Sequence, residues 1–125
     1  MTALMSKAVE QDTETVDGPT QEEFVAWVEG LVSRLESVDR SANMHWCPQW
    51  WAHTEVVERL SALHAQWLVA KEENSISTWW VSHFDAHAKV LFAMHGPFGQ
   101  CGTKHVEKGV RRTLACEQPP ANWSW

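Results

Sequence analysis

Six side chains have the types and spacing to hold a transition metal: Cys47, His53, His83, His87, Cys101 and His105. His83 and His87 are four apart, which on a helix sets two imidazoles one turn apart on one face, where both can reach one ion. Cys101 and His105 repeat that interval further on, so the pattern H-x3-H…C-x3-H supplies four nitrogen and sulfur donors. Cys47 and His53, in WCPQWWAH, are a competing source, and a set of Cys47, His53, His83 and His87 stays open beside the first. Mixed Cys and His donors select zinc, whereas magnesium and calcium take oxygen. A hydrolytic zinc centre needs an open coordination position and a general base close by. No Glu accompanies these histidines, and Asp85 falls on another side of the helix from His83. No catalytic residue is therefore expected. The plainer explanation is a pair of core imidazoles bonded to carbonyls and a small buried thiol at Cys101. His45, His64 and His95 are expected to be of that plainer kind.

Helices and the loops between them must carry these donors. Thr20 followed by Glu23 is a capping box, and Phe24, Trp27, Val28, Leu31, Val32, Leu35 and Val38 recur at helical spacing, predicting a helix over 20–38. Pro48 and polar neighbours break the period, so residues 39–53 read as a loop bearing Trp46, Cys47, Trp50, Trp51 and His53. Thr54 is the expected cap of a second helix, ending near Glu73 and Asn74. A third opens at Ser75 or Ser77, faces inward with Trp79, Trp80, His83, Phe84, His87, Val90, Leu91 and Met94, and stops at Gly96-Pro97. A shorter fourth helix is expected from Thr103, with Val106, Val110 and Leu114 inward and Lys104, Lys108, Arg111 and Arg112 on the opposite face. The expected architecture is mainly α: a small single-domain bundle of about four helices with long tryptophan-bearing loops. Residues 1–19 are expected to be a disordered acidic leader, 20–118 the helical domain, and 119–125 an extended strap.

Composition bounds the function. The 125 residues suffice for one domain with a real core. A formal charge of -6 disfavours a protein whose main task is gripping phosphate backbones. Nine tryptophans and no tyrosine give more indole area than a small core needs, so part of it is expected at a surface, with Trp123 and Trp125 the candidates for partner contact. Three cysteines, no apolar run of membrane-spanning length and no signal-peptide pattern suggest the cytoplasm, where thiols stay reduced and open to a metal.

The blocks WCPQWWAH, RLSALHAQW, STWWVSHFDAH and GPFGQC with a following His resemble a family of actinobacterial and actinophage proteins classed as a domain of unknown function. The resemblance covers roughly residues 46–105. By position it takes in Trp46, Cys47, Trp50, Trp51 and His53, then Trp79, Trp80, His83, Asp85 and His87, then Gly96, Pro97, Phe98, Cys101 and His105. Ala86 stands where many members have proline, which favours a continuous third helix here. The resemblance implies a product of a phage, plasmid or integrative element, with no activity attached.

The function expected first is a non-catalytic binding or regulatory module of a mobile element, pinned by zinc and acting through protein contacts. The second is a nucleic-acid accessory protein using Lys104, Lys108, Arg111 and Arg112. The third is a small metal-dependent hydrolase or nuclease with Asp85 or a histidine as base.

Overall fold

A computed structural model describes residues 18–39, 42–101, 104–107 and 114–125. Within them the protein is mainly helical, without strands. The first helix, α1, spans Gln21–Arg34 and is opened by the expected capping box, with Glu23 N donating to Thr20 Oγ1 at 3.1 Å and Thr20 N to Glu23 Oε1 at 2.9 Å. It ends four residues earlier than the apolar period suggests. Ser33 Oγ donates to Gly30 O near the terminus, and Leu35 is already extended. Leu35 and Val38 still pack on the core, but from an irregular strand of chain.

The loop that follows folds back on the far end of the molecule through His45 N, which donates to Phe92 O at 3.0 Å. A single 3-10 turn, Trp50–Ala52, then leads into α2, Thr54–Glu73. The cap residue is His53, not Thr54, and its side chain makes no capping bond. That imidazole is turned towards Cys101 instead. α2 closes at Asn74, whose left-handed backbone (φ 56°, ψ 42°) is one that Asn tolerates.

The third helix, α3, covers residues 76–91 in three parts: an α turn Ile76–Thr78, a π segment Trp79–Phe84 and an α segment Asp85–Leu91. In the π segment Asp85 N reaches back five residues to Trp80 O, which widens the turn. Trp79, Trp80 and Phe84 thereby all meet on the inner side, with Trp79 and Trp80 ring centroids 5.0 Å apart and Trp80 and Phe84 5.1 Å apart. Trp79 is fully buried, donates its indole N–H to Leu63 O at 2.8 Å and meets Trp27 of α1 and Trp67 of α2 edge-on. It is the pin of the three-helix core, alongside Val28, Leu31, Val56, Leu60, Leu63 and Leu91.

Beyond Leu91 the chain is a series of turns, with Gly96 N on Ala93 O, Gly99 N on Gly96 O and Cys101 N on Phe98 O. Gly96 is required there, since a Cβ would lie 2.2 Å from Val90 O. The expected fourth helix does not begin by Glu107: residues 104–107 are not helical, and Val106 and Leu114 are exposed rather than inward. The backbone there bends around a sulfur, with Val106 N donating to Cys101 Sγ at 3.4 Å. Thr103, Lys108, Val110, Arg111 and Arg112 lie outside the described residues, as does the leader up to Asp17. No helix among the described residues is long and apolar enough to cross a membrane.

Candidate metal centre

Four of the six expected donors converge. Cys47 comes from the loop before α2, His53 from the cap of α2, Cys101 from the end of the glycine-bearing turns, and His105 from the bend beyond it. One donor atom from each lies within 4.8 Å of all the others. Cys47 Sγ is 3.2 Å from His105 Nδ1, while Cys101 Sγ is 3.7 Å from His53 Nε2 and 3.8 Å from His105 Nδ1. A tetrahedral ion with metal–sulfur bonds of about 2.3 Å and metal–nitrogen bonds of about 2.05 Å sets S and N about 3.6 Å apart. The measured separations bracket that value, so the donor set fits such an ion without large movement.

The surroundings orient the donors. His105 Nε2 lies 2.8 Å from Glu107 Oε2. A carboxylate accepts, so Nε2 is the donor, and in the neutral imidazole that leaves the Nδ1 lone pair towards the sulfurs, the arrangement by which an outer carboxylate fixes a ligand's tautomer. Both cysteines are buried, and none of the three cysteines of the chain is in a disulfide. Val106 N donates to Cys101 Sγ at 3.4 Å, which fixes the sulfur against the bend. The His53 ring meets Phe98 edge-on at 5.0 Å, and Trp46 covers Phe98 from another side, so an apolar wall backs the group. His45, on the same loop as Cys47, approaches Cys101 O through Nδ1 at 3.4 Å.

His83 and His87 do not belong to this group. His87 Nδ1 accepts from Arg59 Nη1 at 3.0 Å, and Arg59 Nε donates in turn to Glu55 Oε2 at 2.9 Å. Burial, then the Arg59 guanidinium, then His83 push the His87 imidazole below its ordinary range, so it is the neutral acceptor that Arg59 requires. The donors that converge are the Cys47/His53 pair and the Cys101/His105 pair, with His83 and His87 outside the group. The four-residue histidine spacing spans the end of the π segment, and the His87 imidazole serves the α2–α3 contact through Arg59. Asp85 is exposed and lies outside the group.

Glu107, Val106 N–H and Arg59 were not among the expected site residues. H-x-E over His105–Glu107 was a local signal for the first. Arg59 is 28 residues from His87, beyond any local pattern. Of the tryptophans, Trp50 and Trp79 are buried, Trp80 is half-buried, and Trp51, Trp123 and Trp125 are exposed. Of the expected basic face only Lys104 is described, and it is exposed.

These features define a small, mainly helical domain with a Cys2His2 group able to hold a metal. Residues 21–120 match the family described as a domain of unknown function (DUF4913), and the chain belongs to that family. No curated protein and no solved structure matches it.

Proposed function

We propose that this chain is a non-catalytic binding or regulatory module whose loops are fastened by a structural zinc ion held by Cys47, His53, Cys101 and His105. The observation that carries this reading is the convergence of two sulfurs and two imidazole nitrogens from widely separated loops. Two thiolates and two neutral imidazoles balance a zinc dication and fill its tetrahedral shell, as in structural sites. A filled shell holds no water to activate, which disfavours the hydrolase reading. Work done by such a module falls to its surface, where Trp51, Trp123 and Trp125 are exposed. Its place in a phage or other mobile element, in the bacterial cytoplasm, rests on the sequence blocks and on the reduced thiols.

Protein purified without added metal is expected to carry about one zinc per chain by elemental analysis. Exchange for cobalt is expected to give the intense visible bands of a tetrahedral sulfur–nitrogen site. A metal-free preparation that neither binds zinc nor develops those bands overturns the reading.

A further inference from the structure

The metal reading leaves unused a groove between the start of α1 and the outer side of α2. It encloses about 1010 Å3, with Phe24, Trp50, Trp51, Val57 and Leu68 as walls and His64 as part of its lining. That size and apolar character suit the burial of a planar aromatic group. His64 is only 5% exposed. It stacks on Trp27 at 4.6 Å and on Phe24 at 5.8 Å, yet makes no hydrogen bond among the described residues. Among the described residues the one fully buried side-chain nitrogen or oxygen without a partner is Trp27 Nε1, so the His64 nitrogens are not wholly sealed, and His64 is part of the lining of this groove. A nearly buried imidazole without a partner costs free energy that a ligand's N–H donor would recover.

The same chain displays the complementary group. Trp123 is 57% exposed and Trp125 fully so, on a tail that is irregular throughout residues 114–125. An indole is planar, apolar on both faces and carries one N–H. We infer that the groove receives the Trp123–Trp125 segment of a second copy of this chain, an indole N–H donating to His64 while the ring packs between Phe24, Trp50 and Leu68. This rests on the reading of the tail tryptophans as a contact surface and is independent of the metal. At about 200 Å2 for a fully buried indole, one tail hides roughly 300 Å2 and the groove a similar area. Reciprocal exchange then buries on the order of 1,200 Å2, the lower edge of specific interfaces, which fits a weak dimer. With -6 on each copy, salt should strengthen the association.

Sedimentation equilibrium on the full metal-loaded chain tests this, with the peptide PPANWSW (residues 119–125) and free indole as probes. The expected result is a reversible dimer. Trp125→Ala, on an exposed tail that the core does not need, should weaken it at least about tenfold. His64→Phe, which keeps a stacked ring and removes the acceptor, should weaken it by roughly tenfold. The peptide should compete and shift the His64 ring resonances. A chain that stays monomeric at millimolar concentration overturns the inference, as does a dimer indifferent to Trp125→Ala. Indole that shifts His64 in a strictly monomeric chain also overturns it and leaves a small-molecule site. Zinc content read on the same samples keeps this failure separate from that of the metal reading.

Discussion

Stripping the metal is expected to loosen the loops without dissolving the helices. The Cys101–His53 contact spans 48 residues and the Cys47–His105 contact 58. A cross-link closing a loop of about 50 residues removes roughly 4 kcal/mol of denatured-state entropy, with the disulfide relation used as a guide. Net stabilities of domains run about 5–15 kcal/mol, so that is a large share. In a chain of this size each kcal/mol moves Tm by about 4 °C, which predicts a fall of roughly 15 °C on chelation. None of Val28, Leu31, Val56, Leu60, Leu63, Trp79 and Leu91, which form the core between the helices, supplies a donor to the Cys2His2 group. Far-ultraviolet circular dichroism should therefore keep most of its helical signal at 20 °C, while near-ultraviolet signal from Trp46 beside Phe98 is lost. Melts with and without a strong chelator, with elemental analysis of each sample, measure both. A melt unmoved by chelation in a sample shown to have lost its zinc would refute the reasoning.

Four further outcomes follow from particular contacts. Glu107→Ala removes the acceptor on His105 Nε2, and zinc affinity by competition with a chromophoric chelator should fall about 10- to 100-fold while the apoprotein melt is unchanged. Burial holds the His64 imidazole below its ordinary range, with Lys71 adding to and Glu23 opposing the effect, and His87 is lowered by burial, Arg59 and His83. Both groups are therefore neutral when folded and bind protons more readily when unfolded. The stability they contribute is present above the unfolded value of about 6.5 and is lost as pH falls through the lowered folded values. Nuclear magnetic resonance titration should place both midpoints below the ordinary value, and Arg59→Ala should raise that of His87 but leave His64 alone. Gly96→Ala puts a Cβ 2.2 Å from Val90 O and should cost about 2–3 kcal/mol in chemical denaturation and weaken zinc binding through Cys101. Gly30→Ala, whose Cβ would meet only Arg34 Nη1 at 3.5 Å, should instead gain about 0.5–1 kcal/mol.

The helices were legible wherever a start signal and an apolar period agreed. Thr20 and Glu23 marked the opening of α1, and the stretch ending at Asn74 marked the close of α2. The end of α1 was not legible, because Leu35 and Val38 keep the apolar spacing while packing from irregular chain. The π segment was not legible either. Periodicity at 3.6 residues assumes i→i+4 bonds, and the crowding of Trp79, Trp80 and Phe84 onto one side selects the wider turn only once Trp27 and Trp67 stand opposite. The same limit explains the metal set. Sequence spacing identified every donor that converges, but helical spacing favoured His83 and His87, and His87 is engaged by Arg59 on another helix.

The placement of the donor set has a physical logic that the helical reading missed. Two histidines one turn apart on a packed face already have a rigid frame, so an ion there would add little. Cys47, His53, Cys101 and His105 sit instead where the chain lacks regular hydrogen bonding: between α1 and α2, and after α3. Those two segments touch through His45 N on Phe92 O, His45 Nδ1 near Cys101 O, and the ring contacts of Trp46 and His53 with Phe98. Ordering two irregular segments against each other costs loop entropy, and a four-coordinate ion held by the group would offset that cost where the segments meet. The bend at residues 104–107 follows from the same demand. A helix continuing from Thr103 would carry Val106 N away from Cys101 Sγ, whereas the observed turn gives that sulfur a donor and sets Glu107 against His105. The segment expected to pack as a fourth helix is shaped, as far as Glu107, by the ligands it carries.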